Sequence, residues 1–273
     1  MIAVVLVSLG MASGARADWP NPAIRSGGYL PPVRQIAVAL NASGAYVPQI
    51  SNLAADTSAV LEGGLTWNFA FDKRVGLFGH HTIGGMWCDN VSLLSLGHEV
   101  GVRFPLVDVF TLEAAYLTHR VDSAWTDGLK IRPGGVMDNG GELGFWLHFS
   151  PMRRLKVEPH VFGRVFGVYN DVQGVTGVGL RTSVMLFDGH VLGAEIQLLP
   201  TIRHEPRDGV DKVTWNVVGS IFWRSRITGD FGFQLGGMIS TNLLVGQVPM
   251  LELKRSMINE PMAMGTAGIY FGI

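Results

Sequence analysis

The sequence predicts an all-β protein, a closed antiparallel transmembrane β-barrel of about 12 strands, on three observations. The chain is apolar and sparsely charged, with a mean hydropathy of +0.27 and only 16% Asp, Glu, Lys and Arg, against about 25% in ordinary globular chains. Glycine is abundant, at 36 of 273 residues, nearly twice the usual share of ~7%. No stretch has the continuity of a membrane helix, which needs about 18 apolar residues in succession. After the first residues the longest uncharged run is 231–251, and Gln234, Asn242, Gln247 and Pro249 interrupt it. Without helices, a chain in lipid satisfies its backbone only by closing a sheet on itself.

The same composition excludes other classes. A disordered chain would combine low hydrophobicity with high net charge. A formal charge of −1 and a pI near 6.7 lack the basic excess of a nucleic-acid-binding surface. The single cysteine, Cys88, rules out an intramolecular disulfide framework and a cysteine-rich zinc site; its reading is a small packed residue.

From the N-terminus, residues 2–9 form an apolar run too short to span ~30 Å of hydrocarbon. Ala15-Arg16-Ala17 follows, an A-x-A cleavage pattern. Residues 1–17 are therefore expected to be a cleaved signal peptide. Residues 18–32, with Pro20, Pro22, Pro31 and Pro32, are expected to be a periplasmic lead-in without regular structure. The barrel is expected over 33–273, with no internal repeat or linker dividing it.

Strands are expected at 33–42, 59–71, 75–87, 94–104, 109–120, 141–149, 155–169, 175–187, 190–203, 212–224, 231–245 and 262–273. Each alternates in the manner of a sheet with one apolar face. In 94–104, Leu94, Leu96, His98, Val100, Val102 and Phe104 share one parity, and Ser95, Gly97, Glu99, Gly101 and Arg103 the other. In 212–224, Val213, Trp215, Val217, Ile221 and Trp223 share a face. In so apolar a chain the apolar parity is assigned to lipid and the charged parity to the lumen. Short connections at 72–74, 105–108, 150–154, 188–189 and 225–230 read as periplasmic turns. The longer ones at 43–58, 121–140, 204–211 and 246–261 read as extracellular loops.

The chain ends Thr266-Ala267-Gly268-Ile269-Tyr270-Phe271-Gly272-Ile273. Thr266, Gly268 and Phe271 match the closing-strand pattern of polar, any, Gly, any, any, aromatic, any, aromatic; Ile273 departs from it. In this the chain resembles bacterial outer-membrane β-barrel proteins in general. The resemblance implies location in the bacterial outer membrane, contact with its lipids including lipopolysaccharide, and delivery by the barrel insertion machinery. The closing strand is expected to be amphipathic and to end in bulky interface anchors.

The functional residues expected are the ionisable groups of the inward parity: Glu99, Arg103, Glu113, Glu142, Lys156, Glu158, Arg164, Arg181 and Glu195, with Arg203, Lys212 and Arg224 beside them. Glu113 is the candidate partner of Arg103. Mixed charges of this kind line either a narrow hydrated pore for small polar solutes or a barrel braced by internal ion pairs. At twelve strands width does not choose between them, since eight strands are filled and sixteen leave a channel.

His80 and His81 are adjacent, point to opposite faces and cannot chelate one ion together. His98 falls on the lipid parity as a tolerated polar group near an interface. His148-Phe149-Ser150 resembles the His-x-Ser element of outer-membrane lipid A deacylases and phospholipases, which implies an acyl-ester hydrolase. Pro151-Met152 stands where the deacylases carry Asn-Ala, and Ser-Pro favours a turn. No nucleotide, zinc-protease or thiol-redox motif occurs. The expectation is a non-enzymatic pore or structural barrel without cofactor, metal or nucleic-acid partner; the hydrolase is the alternative.

Overall fold

A computed structural model describes residues 36–47, 58–88, 91–107, 109–125, 136–168, 171–205, 210–229, 231–241, 244–245, 248–249 and 262–272. Twelve long strands form one closed antiparallel sheet. They are β1 (Ile36–Val47), β2 (Ser58–Ala70), β3 (Gly76–Cys88), β4 (Val91–Val107), β5 (Phe110–Trp125), β6 (Val136–Leu147), β7 (Leu155–Val168), β8 (Asp171–Phe187), β9 (His190–Glu205), β10 (Val210–Thr228), β11 (Phe231–Ser240) and β12 (Met262–Gly272). Each pairs with its sequence neighbours, and β12 returns to β1 with Ala37 opposite Gly272 and Asn41 opposite Gly268. Closure leaves no unpaired edge.

The five connections at one end are all tight, and two at the other, between β3 and β4 and between β7 and β8, are as short. At 71–75 the Asp72 carboxylate accepts from the amides of Arg74 and Val75 at 2.6 and 2.8 Å, the local bond that makes Asp a turn residue. Gly189 and Gly229 take positive φ of 83° and 50° in two other turns, where a side chain would be strained. Past His148, Phe149–Met152 extends the β6–β7 ribbon, so the hairpin turns at 153–154 rather than directly after His148. At the other end, β1 and β5 each run five residues beyond the expected limits and β6 begins five residues earlier, whereas β10 is extended at the short-turn end, to Thr228. Asn41-Ala42-Ser43-Gly44 carries turn-like composition yet stays in β1, because β2 and β12 pair with it on both sides. Partner strands outweigh intrinsic preference there. The expected signal peptide and lead-in lie outside the described residues, as do 48–57, 126–135, 206–209 and 250–261.

Facing follows the alternation. Ile221 and Trp223 are 65% and 38% exposed on the outside, whereas Phe222 and Arg224 between them are 4% and 8% exposed on the inside. Inward aromatic rings lie on inward glycines of the next strand. A Cβ at Gly177 would stand 2.2 Å from the Phe162 ring, and one at Gly193 2.1 Å from Phe222. At Gly101 it would meet Phe78 at 2.6 Å and the carbonyl oxygen of Ala114 at 2.5 Å. Tyr270 is fully buried in the lumen against Gly232.

The Gly101 contact yields a test. A backbone oxygen inside the β4–β5 ladder cannot swing aside, so Gly101→Ala should cost about 1–3 kcal/mol, the usual range for overpacking. Gly163→Ala, with no atom within 4 Å of its Cβ, should be close to neutral. Urea unfolding from lipid vesicles measures both; equal effects would remove the glycine-seat account.

Candidate functional site: the charged lumen

The lumen site is built by register. Arg103 on β4 stands directly opposite Glu113 on β5, Glu142 on β6 opposite Arg164 on β7, Arg181 on β8 opposite Glu195 on β9, and Arg224 on β10 opposite Gln234 on β11. Directly opposed side chains on one face stand about 4.5–5.5 Å apart at Cβ. Each pair therefore forms a side-chain bond without distorting either strand.

Arg103 donates from Nε to Glu113 and from Nη1 to Asn68. The second Glu113 oxygen accepts from Trp146 Nε1 at 3.1 Å. The Arg103 and Glu113 side chains are 1% and 2% exposed. Arg164 donates to Glu142, and Arg181 holds Glu195 with contacts of 2.6 and 2.8 Å. The other Glu195 oxygen lies 3.4 Å from His160 Nε2 and accepts from Gln197. Arg224 donates to Gln234 at 2.7 Å. All four guanidinium groups also lie over aromatic rings: Arg103 over Phe78 at 4.3 Å, Arg164 over Phe162 at 4.8 Å, Arg181 over Trp146 at 5.1 Å and Arg224 over Phe222 at 4.4 Å. The His160 ring stacks on Trp146 with centroids 4.0 Å apart. Acid in the guanidinium plane and ring on its face satisfy both aspects of the cation away from bulk water.

These groups pack the lumen towards the short-turn end, where Tyr270 and Gln234 are also buried. At mid-height a cavity of about 190 Å³ remains, many times the ~10–15 Å³ needed to admit one water. Asn41, Ser43, Glu62 and His80 line its β1–β3 side. Leu199, Val218, Phe222, Met238 and Met264 line the side made by β9–β12. Asn216 Nδ2, Gln234 Nε2 and the Tyr270 hydroxyl are buried polar atoms without a partner among the described residues.

The nine sequence-derived lumen residues Glu99, Arg103, Glu113, Glu142, Lys156, Glu158, Arg164, Arg181 and Glu195 occupy inward-facing strand positions, as does Arg224. The expected Arg103–Glu113 pair is formed. The side chains of Arg203, Lys212 and Cys88 lie outside the described ones. Asn68, Trp146, His160, Gln197 and Gln234 complete the network and were not singled out from sequence. Their signal was an inward parity shared with a charge, and uncharged residues do not announce that parity.

His148 does not meet Ser150. Its Nε2 lies 3.1 Å from Thr111 Oγ1 and its Nδ1 3.0 Å from Glu158, while Ser150 is exposed at the turn. The Thr–His–Glu chain has the connectivity of a nucleophile relay, with Thr111 buried at 1% exposure. What the chain does is fix the His148 ring.

The Arg103–Glu113 pair should be far more sensitive to one deletion than to two. Arg103→Ala leaves a buried carboxylate unpaired and should cost ~3–5 kcal/mol. Adding Glu113→Gln should recover part of that. Additive losses in a double-mutant cycle would mean that the two groups are not coupled.

No protein-family model matches the sequence, and no curated protein matches it. The fold is similar to solved structures. The translocator domain of the autotransporter NalP from Neisseria meningitidis superposes with a TM-score of 0.55 at 10% identity, covering 99% of this chain and 95% of that one. The β domain of the Bordetella autotransporter BrkA gives 0.55 at 15% identity, covering 87% and 98%. An outer-membrane channel from Pseudomonas putida F1 gives 0.59 at 11% identity, covering 92% and 100%. At these identities the likeness is one of fold, and the fold is that of a bacterial outer-membrane β-barrel.

Proposed function

We propose that this chain is a narrow, non-catalytic passive channel of the bacterial outer membrane for small polar solutes. In this reading the short turns face the periplasm and the long connections the cell exterior, the asymmetry usual for such barrels. Outer-membrane lipids, lipopolysaccharide among them, surround it, and the insertion machinery reads its closing strand. The observation that carries the proposal is the mid-lumen cavity bordered by Glu62, His80, Glu142, Arg164 and Glu195. A barrel serving only as a scaffold has no need of a chamber bordered by charges, whereas a channel needs a hydrated place where charges bias entry. Passage towards the short-turn end then depends on displacement of the Trp146–Arg181 stack, which keeps conductance small.

The structural-barrel reading draws on a different observation, the near-complete burial of Arg103, Glu113 and Tyr270. Planar-bilayer recording separates the two. Wild type should show small conductance steps, and Trp146→Ala, which removes the stacking ring, should raise them several-fold. Silence from both proteins would favour the scaffold.

The hydrolase reading loses its pair, since the His148 nitrogens face Thr111 and Glu158. Wild type and Ser150→Ala should both leave acyl release from lipid A and phospholipid at background. Release by wild type that the variant abolishes would defeat the non-catalytic reading.

A further inference from the structure

The outer face of β2–β4 carries a hydrogen-bonded chain that the lumen does not use. Trp67 Nε1 donates to His81 Nε2 at 3.0 Å, and His81 Nδ1 lies 3.1 Å from His98 Nδ1. The Trp67 indole rests on Gly79, where a Cβ would stand 2.3 Å from it, so the first member of the chain is held in a seat.

The proton positions follow from the donors. An indole nitrogen only donates, so His81 Nε2 accepts and carries no proton. Neutral His81 then holds its proton on Nδ1 and donates it to His98 Nδ1. That leaves His98 neutral with its proton on Nε2. The chain runs one way, and its last N–H has no partner among the described residues.

This donor sits deep in the apolar belt. On β4 its outward neighbours are Leu94 and Leu96 towards one end and Val100, Val102 and Phe104 towards the other. At ~3.3 Å per residue and ~40° of strand tilt, Leu94 lies ~10 Å and Phe104 ~15 Å from His98 along the membrane normal. Lipid carbonyls and headgroups belong to the interfaces, out of an imidazole's reach. An unpaired N–H in hydrocarbon is costly, so the acceptor has to come from protein at the same depth.

We propose that the outer face of β3–β6 binds a second copy of this chain, with His98 Nε2 donating to the hydroxyl of Thr118 of the partner subunit. Thr118 is the direct cross-strand neighbour of His98. The two therefore share a depth to within one inter-strand step. A two-fold axis along the membrane normal preserves depth and requires residue i to meet j while j meets i. An axis facing the β4–β5 seam meets both conditions at once, laying each β4 against the other copy's β5. Ile83, Leu94, Val100 and Leu143, between 44% and 56% exposed, supply the apolar surround.

The test uses the full chain in lipid nanodiscs and in membranes. Wild type should sediment as a dimer. His98→Phe and Thr118→Val should each raise its dissociation constant at least tenfold while keeping the heat-modifiable gel migration of a folded barrel. His98→Gln, which can still accept and donate, should retain dimers. In a Cys88→Ser background, Val100→Cys should cross-link between copies through a short bis-maleimide and Ile221→Cys, on the far wall, should not. Monomeric wild type, or cross-linking confined to Ile221→Cys, would overturn the proposal. So would a monomer that carries a tightly held lipid lost on His98→Phe, which would make lipid the occupant.

Discussion

A charge buried inside a membrane barrel has one tolerable arrangement, opposite its partner, and strand register decides whether it gets there. Arg103–Glu113, Glu142–Arg164 and Arg181–Glu195 are all directly opposed pairs. Slip one ladder by a single residue and every side chain of that strand changes face, which drives guanidinium and carboxylate groups into hydrocarbon at several kcal/mol each. Slip it by two and the facing is kept but the partners are lost: Arg103 would then oppose Thr111 or Ala115. The pairs therefore act as register locks, and much of their value lies in penalising misalignment. Their net contribution to the aligned state is smaller, because desolvation offsets most of the attraction.

The aromatic rings extend the same logic. Four guanidinium groups lie on rings, and two of those rings, Phe162 and Phe222, press on glycines of the adjoining strand, as does Phe78 through Gly101. Glycine supplies the depth for the ring, the ring supplies the face for arginine, and arginine binds an acid, or for Arg224 the Gln234 amide, on a neighbouring strand. These inward glycines are thus a packing requirement distributed round the wall. Each glycine is a weak strand former by itself, and the ring that covers it restores contact in the manner of an aromatic placed over a sheet glycine.

The fold was legible because its two signals, alternation and the lack of helical spans, are local. The β4 parity of Glu99, Gly101 and Arg103 could be read from eleven residues. Strand ends were less legible: the Asn41–Gly44 segment has turn composition, and only the presence of β2 and β12 on both sides keeps it extended. The charged half of the site was legible for the same reason as the fold, since a charge reveals which parity points inward. The neutral half was not. Tyr270 sits at an unspecified position of the closing-strand pattern, and its burial depends on Gly232, thirty-eight positions earlier in sequence. The His-x-Ser spacing misdirected for a similar reason: two residues on one strand share a face, but Thr111 and Glu158 from neighbouring strands are nearer to His148 than Ser150 is.

His98 shows how the inner and outer walls obey one rule with opposite consequences. Inside, polar groups meet partners from the next strand of the same chain, so closing the barrel completes them. Outside, the Trp67–His81–His98 chain also passes from strand to strand, but it runs towards β5 and ends at a neutral N–H. On that side stands β5, whose outward Thr118 is directly opposite His98 and makes no hydrogen bond with it among the described residues. Whatever completes the chain must lie beyond the wall, at a depth where lipid provides only hydrocarbon. The register that locks the lumen thus fixes, through the same β4–β5 ladder, the level at which His98 and Thr118 face outward side by side.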